Sequence, residues 1–214
     1  MTYPQMIQQL KIILEEACAS NSNAFGYEIW TYHMVPVIDF AKDLARVLGA
    51  DEEIVEVAAI LHDYASVKDY ALYKDHHLHG AVEAEKLLKE FGYTQDKIDQ
   101  VKVCIEEHRG IVVLGQSTKE SACVASADAM AHIANVTSLL HLAYAKKGLG
   151  VREGATWVRN KITRSWKKLC PQAQDMVRDQ YNLAMVMLSE NPIDTQPIHH
   201  NYDIKKNSAH RQSS

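Results

Sequence analysis

Glycine and proline are scarce in this 214-residue chain, with 9 and 5 occurrences. So few turn formers exclude the many short strands and tight hairpins of an all-β protein. No apolar run approaches the roughly 20 residues a membrane-spanning helix needs. The opening stretch MTYPQMIQQLKIILEEA lacks the basic start and unbroken apolar core of a secretory leader. The cysteines, Cys18, Cys104, Cys123 and Cys170, form no C-x-x-C pair. They read as reduced thiols, not as a zinc knuckle or a disulfide framework. A cytoplasmic protein with no membrane partner is the expectation. The formal charge of −4 is mild, and it offers no basic stripe for a nucleic acid.

What is present points to helices. Apolar residues make up 47% of the chain, enough for one core of ordinary domain size. Helical spacing of Ile7, Leu10, Ile13, Leu14 and Ala17 predicts a helix over 4–19. Val37, Phe40, Ala41, Leu44 and Leu48 predict a second over 31–48, with Pro36 in its first turn and Gly49 as its stop. Asp51 is a good N-cap for a third helix whose buried stripe is Ile54, Val57, Ala58 and Leu61. Residues 65–79 read as an irregular loop. Helices follow at 80–91 and 95–108, with Gly92 and Gly110 as stops. Ser117-x-x-Glu120 reads as a capping box for a long helix reaching about 146. Two more fit 154–169 and 171–189, with Pro171 in the first turn. The expectation is a single all-α domain over 1–190, its core at about 28–146 and added C-terminal helices at 150–190. Residues 191–214 are polar and aperiodic and read as a flexible tail.

Eleven histidines are unusual, and several fall at telling places. His108 follows Val101 and Ile105 at i, i+4, i+7 spacing and so points where the core points. His62 follows Ala58 by four and extends a buried stripe. Asp128 lies among small residues, Ala125-Ser126-Ala127-Asp128-Ala129, and a buried carboxylate is costly unless paired or bound to a cation. His33 opens the second helix, and His76, His77 and His79 cluster before the fourth. Imidazole and carboxylate are the usual ligands of divalent metals. Each residue also has a plainer reading, as a hydrogen-bonded core histidine or a solvated polar group, and spacing alone leaves both open.

The ordered series His33, His62-Asp63, His76, His108, Asp128 resembles the HD-domain superfamily of metal-dependent phosphohydrolases. Its flanks are similar too: His33-x-x-x-Val37, Ala58-Ala59-Ile60-Leu61-His62-Asp63, His76-x-x-x-Gly80-Ala81, Ile105-Glu106-Glu107-His108-Arg109 and Ala127-Asp128-Ala129. The resemblance covers about 28–135. It implies an HD-domain helical bundle. His33, His62, Asp63 and Asp128 would form a first metal position. His76 and His108 would form a second, bridged by Asp63. His76 is preferred over His77 and His79 for its spacing to Gly80. One departure is Ser66, where many members carry a lysine; the nearest here is Lys68.

The implied activity is hydrolysis of a small phosphate ester or nucleotide through a metal-activated water, with Asp63 as the catalytic carboxylate. The expected cofactors are divalent ions, two in number, drawn from Fe, Mn, Co, Ni or Mg. Two such ions, about 3.5–4 Å apart, hold the attacking hydroxide and stabilise in-line displacement. Lys68 and Arg109 each follow a ligand closely and are candidate phosphate clamps. A di-iron oxygenase on the same ligand set and a non-catalytic nucleotide-binding regulator are the alternatives; retention of all six ligand-type residues speaks against the second. The sequence leaves a homodimer open. Beyond residue 150, Arg152, Arg159, Arg164, Lys167 and Lys168 form a basic face whose role the sequence does not give.

Overall fold

The computed structural model describes residues 2–109 and 117–189. The predicted tail at 191–214 and the Gly110 stop lie outside those residues. Every regular element among them is helical: α1 Tyr3–Ala19, α2 Val35–Leu48, α3 Glu52–Leu61, α4 Tyr64–Lys68, α5 His76–Glu90, α6 Gln95–Glu107, α7 Lys119–Ala134, α8 Val136–His141, α9 Val151–Lys168 and α10 Pro171–Met187.

Helix α7 is the axis of the bundle and packs on α2, α3, α6, α9 and α10. Its residues from Cys123 to Ala131 are all buried, as expected of a helix surrounded by protein on every side. Small residues here let these five neighbours approach closely. Helix α3 is buried just as completely from Ile54 to Leu61. The Asp51 side chain caps it, accepting from the backbone N–H groups of Glu53 at 2.9 Å and Ile54 at 3.2 Å, which removes two of the orphan donors of a helix start. Gly49 ends α2 in the left-handed conformation at φ 61°, where a Cβ would be strained.

Four details differ from the sequence reading, each for a local reason. Pro36 has no N–H to give the Tyr32 carbonyl and its ring crowds that carbonyl. The chain widens there into a π-helical turn, Trp30–Met34, closed by the Val35 N–H to Trp30 carbonyl bond. The stretch predicted as a loop at 65–79 is instead α4, a 3-10 turn Tyr70–Asp75, and the first turn of α5. The cap of α7 is Thr118 with Ser121, not Ser117 with Glu120; the Glu120 carboxylate accepts from the Asp51 N–H at 2.9 Å instead. The long helix predicted to reach 146 stops at Asn135, whose side-chain amide donates to the Ala131 carbonyl at 3.2 Å. Asparagine competes with the helical ladder in this way. Helix α8 and a second π-helical turn, Leu142–Lys146, follow.

Candidate metal centre

Six side chains from five places converge between α2, α3, α5, α6 and α7. His33 sits in the π-helical turn, where the widened backbone re-aims it. His62 is the C-cap of α3 and still helical. Asp63 leaves the helix, at φ −112° and ψ 7°. Neighbours on a regular helix point about 100° apart, and this break lets His62 and Asp63 face one site. The Ser66 hydroxyl donates to the Asp63 carbonyl at 2.9 Å and holds the break in place. His76 begins α5, His108 is the C-cap of α6, and Asp128 lies within α7. Gly80 lets α5 lie close to this point: a Cβ there would meet Ile105 Cγ2 at 3.1 Å and the His62 carbonyl at 3.4 Å.

The cluster has two halves. One potential ligand atom each from His33, His62 and Asp128 lies within 4.8 Å of the others, and the same holds for Asp63, His76 and His108. Asp63 faces both. Its Oδ2 lies 3.4 Å from His33 Nε2 and 3.5 Å from His62 Nε2, while its Oδ1 lies 3.1 Å from His76 Nε2 and 3.7 Å from His108 Nε2. The bare nitrogens also face each other, His62 with His33 at 3.4 Å and His76 with His108 at 3.1 Å.

Backbone carbonyls set the orientation of three rings. His62, His76 and His108 each place Nδ1 on the carbonyl three residues back: Ala59 at 2.8 Å, Tyr73 at 2.7 Å and Ile105 at 2.6 Å. Nδ1 must carry the proton to donate there, so each Nε2 presents a lone pair to the cluster. Lone pairs 3.1–3.4 Å apart repel unless a proton or a cation lies between them. Ligands about 2.0–2.1 Å from one ion are separated by about that spacing. The donor set therefore fits divalent ions.

Electrostatics agree. Burial pushes the His62 imidazole down to about 4, keeping it neutral and able to ligate. Burial disfavours the ionised form of Asp63, but the surrounding imidazoles, His62 foremost, outweigh it and hold the carboxyl well below the usual range. Asp128 is likewise held well down against burial, by Lys168, then His132 and His33. Both carboxylates are thus anions at neutral pH.

A cavity of about 640 Å³ opens above the cluster, a size typical of small-molecule sites. His33, Asp63, His76, His108 and Asp128 form part of its floor. Arg109 lines it and donates to the Lys74 carbonyl. Lys68 is not brought there; it is exposed and ion-paired with Glu83 at 2.7 Å. His79 is exposed, while His77 packs edge-on against His76.

Sequence reading missed three residues. His132 stacks on His33 with ring centroids 4.8 Å apart, and its Nδ1 lies 3.5 Å from Asp128 Oδ1. Its i+4 relation to Asp128 was the available signal. Lys168 reaches Asp128 Oδ2 at 2.8 Å from the end of α9, and Lys161, on the same helix, also lines the cavity. Nothing in the sequence places α9 over the site.

The HD-domain family model matches residues 30–133. Two solved structures are similar over 85% of this chain. One is a predicted HD superfamily hydrolase from an uncultured Thermotogales bacterium, 18% identical over 88% of its length with a TM-score of 0.57. The other is Bacillus subtilis YpgQ in complex with ADP, 20% identical over 93% of its length with a TM-score of 0.62. At these identities the likeness is one of fold. A 37-residue stretch is 49% identical to the symmetrical bis(5'-nucleosyl)-tetraphosphatase of Halalkalibacterium halodurans. That stretch is 17% of this chain and 20% of the enzyme, so the chain matches about a fifth of that protein's length. Residues 30–133, just under half of the chain, are an HD domain.

Proposed function

We propose that the protein hydrolyses a nucleotide, or a small phosphate ester of similar size, at a two-ion centre. One ion would be held by His33, His62 and Asp128, the other by His76 and His108, with Asp63 bridging. The observation that carries this reading is the division of Asp63, one oxygen toward each histidine pair. Three or more imidazoles favour Mn, Fe, Co or Ni over Mg, which prefers oxygen ligands. When bound, such ions lower the pKa of water and neutralise phosphoryl oxygens.

The chain's own residues supply the rest. Asp63 is the anionic group nearest both halves and can accept a proton from the attacking water. The backbone-anchored histidines fix the geometry, so little reorganisation is needed in the transition state. The cavity wall is cationic, with seven Lys or Arg side chains against three carboxylates, two of which belong to the cluster. That bias suits an anionic substrate and favours phosphohydrolysis over the oxygenase reading. ADP bound to the fold neighbour and the short match to a nucleotide tetraphosphatase support a nucleotide.

The test is a panel of nucleoside mono-, di- and triphosphates and p-nitrophenyl phosphate, each with Mn, Co, Fe, Ni and Mg. Turnover that needs a transition metal and disappears with chelator is the expected result. Turnover by metal-free protein, with the metal content verified by elemental analysis, would sink the reading.

A further inference from the structure

Outside the cavity, seven of the nine described lysines meet a glutamate, mostly two to one, and only Lys74 and Lys119 do not. Lys11 and Lys42 meet Glu56, Lys68 and Lys86 meet Glu83, Lys89 and Lys102 meet Glu85, and Lys97 meets Glu53, all within 3.2 Å. The cavity wall departs from this rule. Lys161 and Arg164 of α9 have no carboxylate within ion-pair distance among the described residues, although both line the cavity. Burial pulls the Lys161 ammonium down from its ordinary range. The charges it feels are the two cluster carboxylates, Asp128 and Asp63, and the like charges of Lys168 and Arg164. A partly buried ammonium set among other cations costs stability unless an anion joins it.

Position along α9 says what that anion is. Lys168 stands at the metal cluster through Asp128. Lys161 is seven residues earlier, hence on the same helix face and about 10 Å back along the axis. Ser165 and Arg164 lie between, and Trp157 one turn beyond, with the Lys147 ammonium 5.3 Å over its ring. Going outward from the cluster, the wall reads cation, cation, then aromatic ring. Lys168 is ion-paired with Asp128 at the inner end, while Lys161 is rooted farther out and feels Asp128 and Asp63 without an ion pair to either.

We propose that Lys161, assisted by Arg164, binds a second, non-reacting phosphoryl group. The pocket would then select substrates with two or more linked phosphoryl groups over monoesters. This rests on the phosphohydrolase reading above, but it concerns a helix that the HD-domain match at 30–133 does not include.

The test is binding, which does not depend on turnover. Inorganic pyrophosphate and orthophosphate are titrated calorimetrically into Mn-loaded protein: wild type, Lys161→Met, Lys161→Arg and, as a control, Lys42→Met. The wild type should prefer pyrophosphate at least roughly tenfold, about the 1.4 kcal/mol of one added charge-assisted contact. Lys161→Met should lose most of that preference with orthophosphate binding unchanged, while Lys161→Arg and Lys42→Met keep it. Elemental analysis should find the same metal content in all four. A wild type without preference, a Lys161→Met protein that retains it, or a Lys161→Met protein that loses metal would each overturn the proposal. The phosphohydrolase reading fails separately, in the turnover panel, and pyrophosphate preference does not depend on that outcome.

Discussion

Glu56 and Asp128 are buried alike, each side chain 9% exposed, yet they are treated in opposite ways. Glu56 is saturated: the Tyr3 hydroxyl donates at 2.9 Å, Lys11 at 3.1 Å and Lys42 at 3.2 Å. Those donors come from α1 and α2, so the carboxylate ties α3 to both. Asp128 has one good donor, Lys168 on Oδ2. Its Oδ1 faces only His33 at 3.6 Å and His132 at 3.5 Å, too long for strong hydrogen bonds. Asp63 is in the same condition with four imidazoles around it. A saturated buried carboxylate is a structural tie, and an incompletely matched one is a place for a cation.

That distinction can be broken by substitution. The largest effect is expected at Asp63, the group shared by both halves of the cluster. Asp63→Ala should lower turnover roughly 1,000-fold or more and strip most of the metal, while circular dichroism stays helical. Near-normal metal in the purified variant would remove Asp63 from the bridging position. Glu56→Ala should do the reverse. Leaving Lys11 and Lys42 without their partner should cost about 3 kcal/mol in urea unfolding, with metal content and kcat of the folded protein unchanged. If Glu56→Ala also loses metal, the two regions are not independent. His108→Ala is expected to be milder, because His108 belongs to the potential ligand group of only one half. Retention of about one metal equivalent and a roughly tenfold slower enzyme is the expected outcome. Full metal with full rate would return His108 to an ordinary core histidine.

The inward placement of His62, His108 and Asp128 was legible because their signals are local, whereas the full set of six came from the resemblance of their order and flanks to the HD-domain superfamily. His62 and His108 extend buried stripes, and Asp128 sits in a run of small residues. The cap at Asp51 and the helix start at Pro171 were legible for the same reason. What escaped the sequence depends on tertiary contact or on subtle backbone geometry. His76 reads as a loop residue because Tyr, Asp, Lys and His around it show no periodicity, yet α5 begins there. The π-helical turn at His33 follows from Pro36 only once the helix is known to continue upstream of it. Lys68 was attractive by sequence distance to Asp63, but the short α4 turns it toward Glu83. Lys168 belongs to a basic face whose role the sequence does not give, and Lys161 carries no sequence signal, until α9 is seen packed on α7.

The smallest expected effect is a pH dependence of the metal-free protein, and it isolates His62. Its folded pKa is depressed by burial from 6.5 to about 4. Below pH 6.5 the unfolded chain binds a proton at this residue and the folded chain does not. The contribution is therefore complete above pH 6.5 and is lost as pH falls toward 4. Between pH 7.5 and 5.5 the loss amounts to about 1 kcal/mol. His132 is depressed in the same direction and His76 is raised, so the whole-protein profile mixes several groups. The contrast between wild type and His62→Gln, both stripped with chelator, removes those shared terms. Urea unfolding at the two pH values should show wild type losing about 1 kcal/mol more than the variant. Parallel profiles would mean that His62 is charged in the folded state, and a charged imidazole would not be the neutral, ready ligand described above.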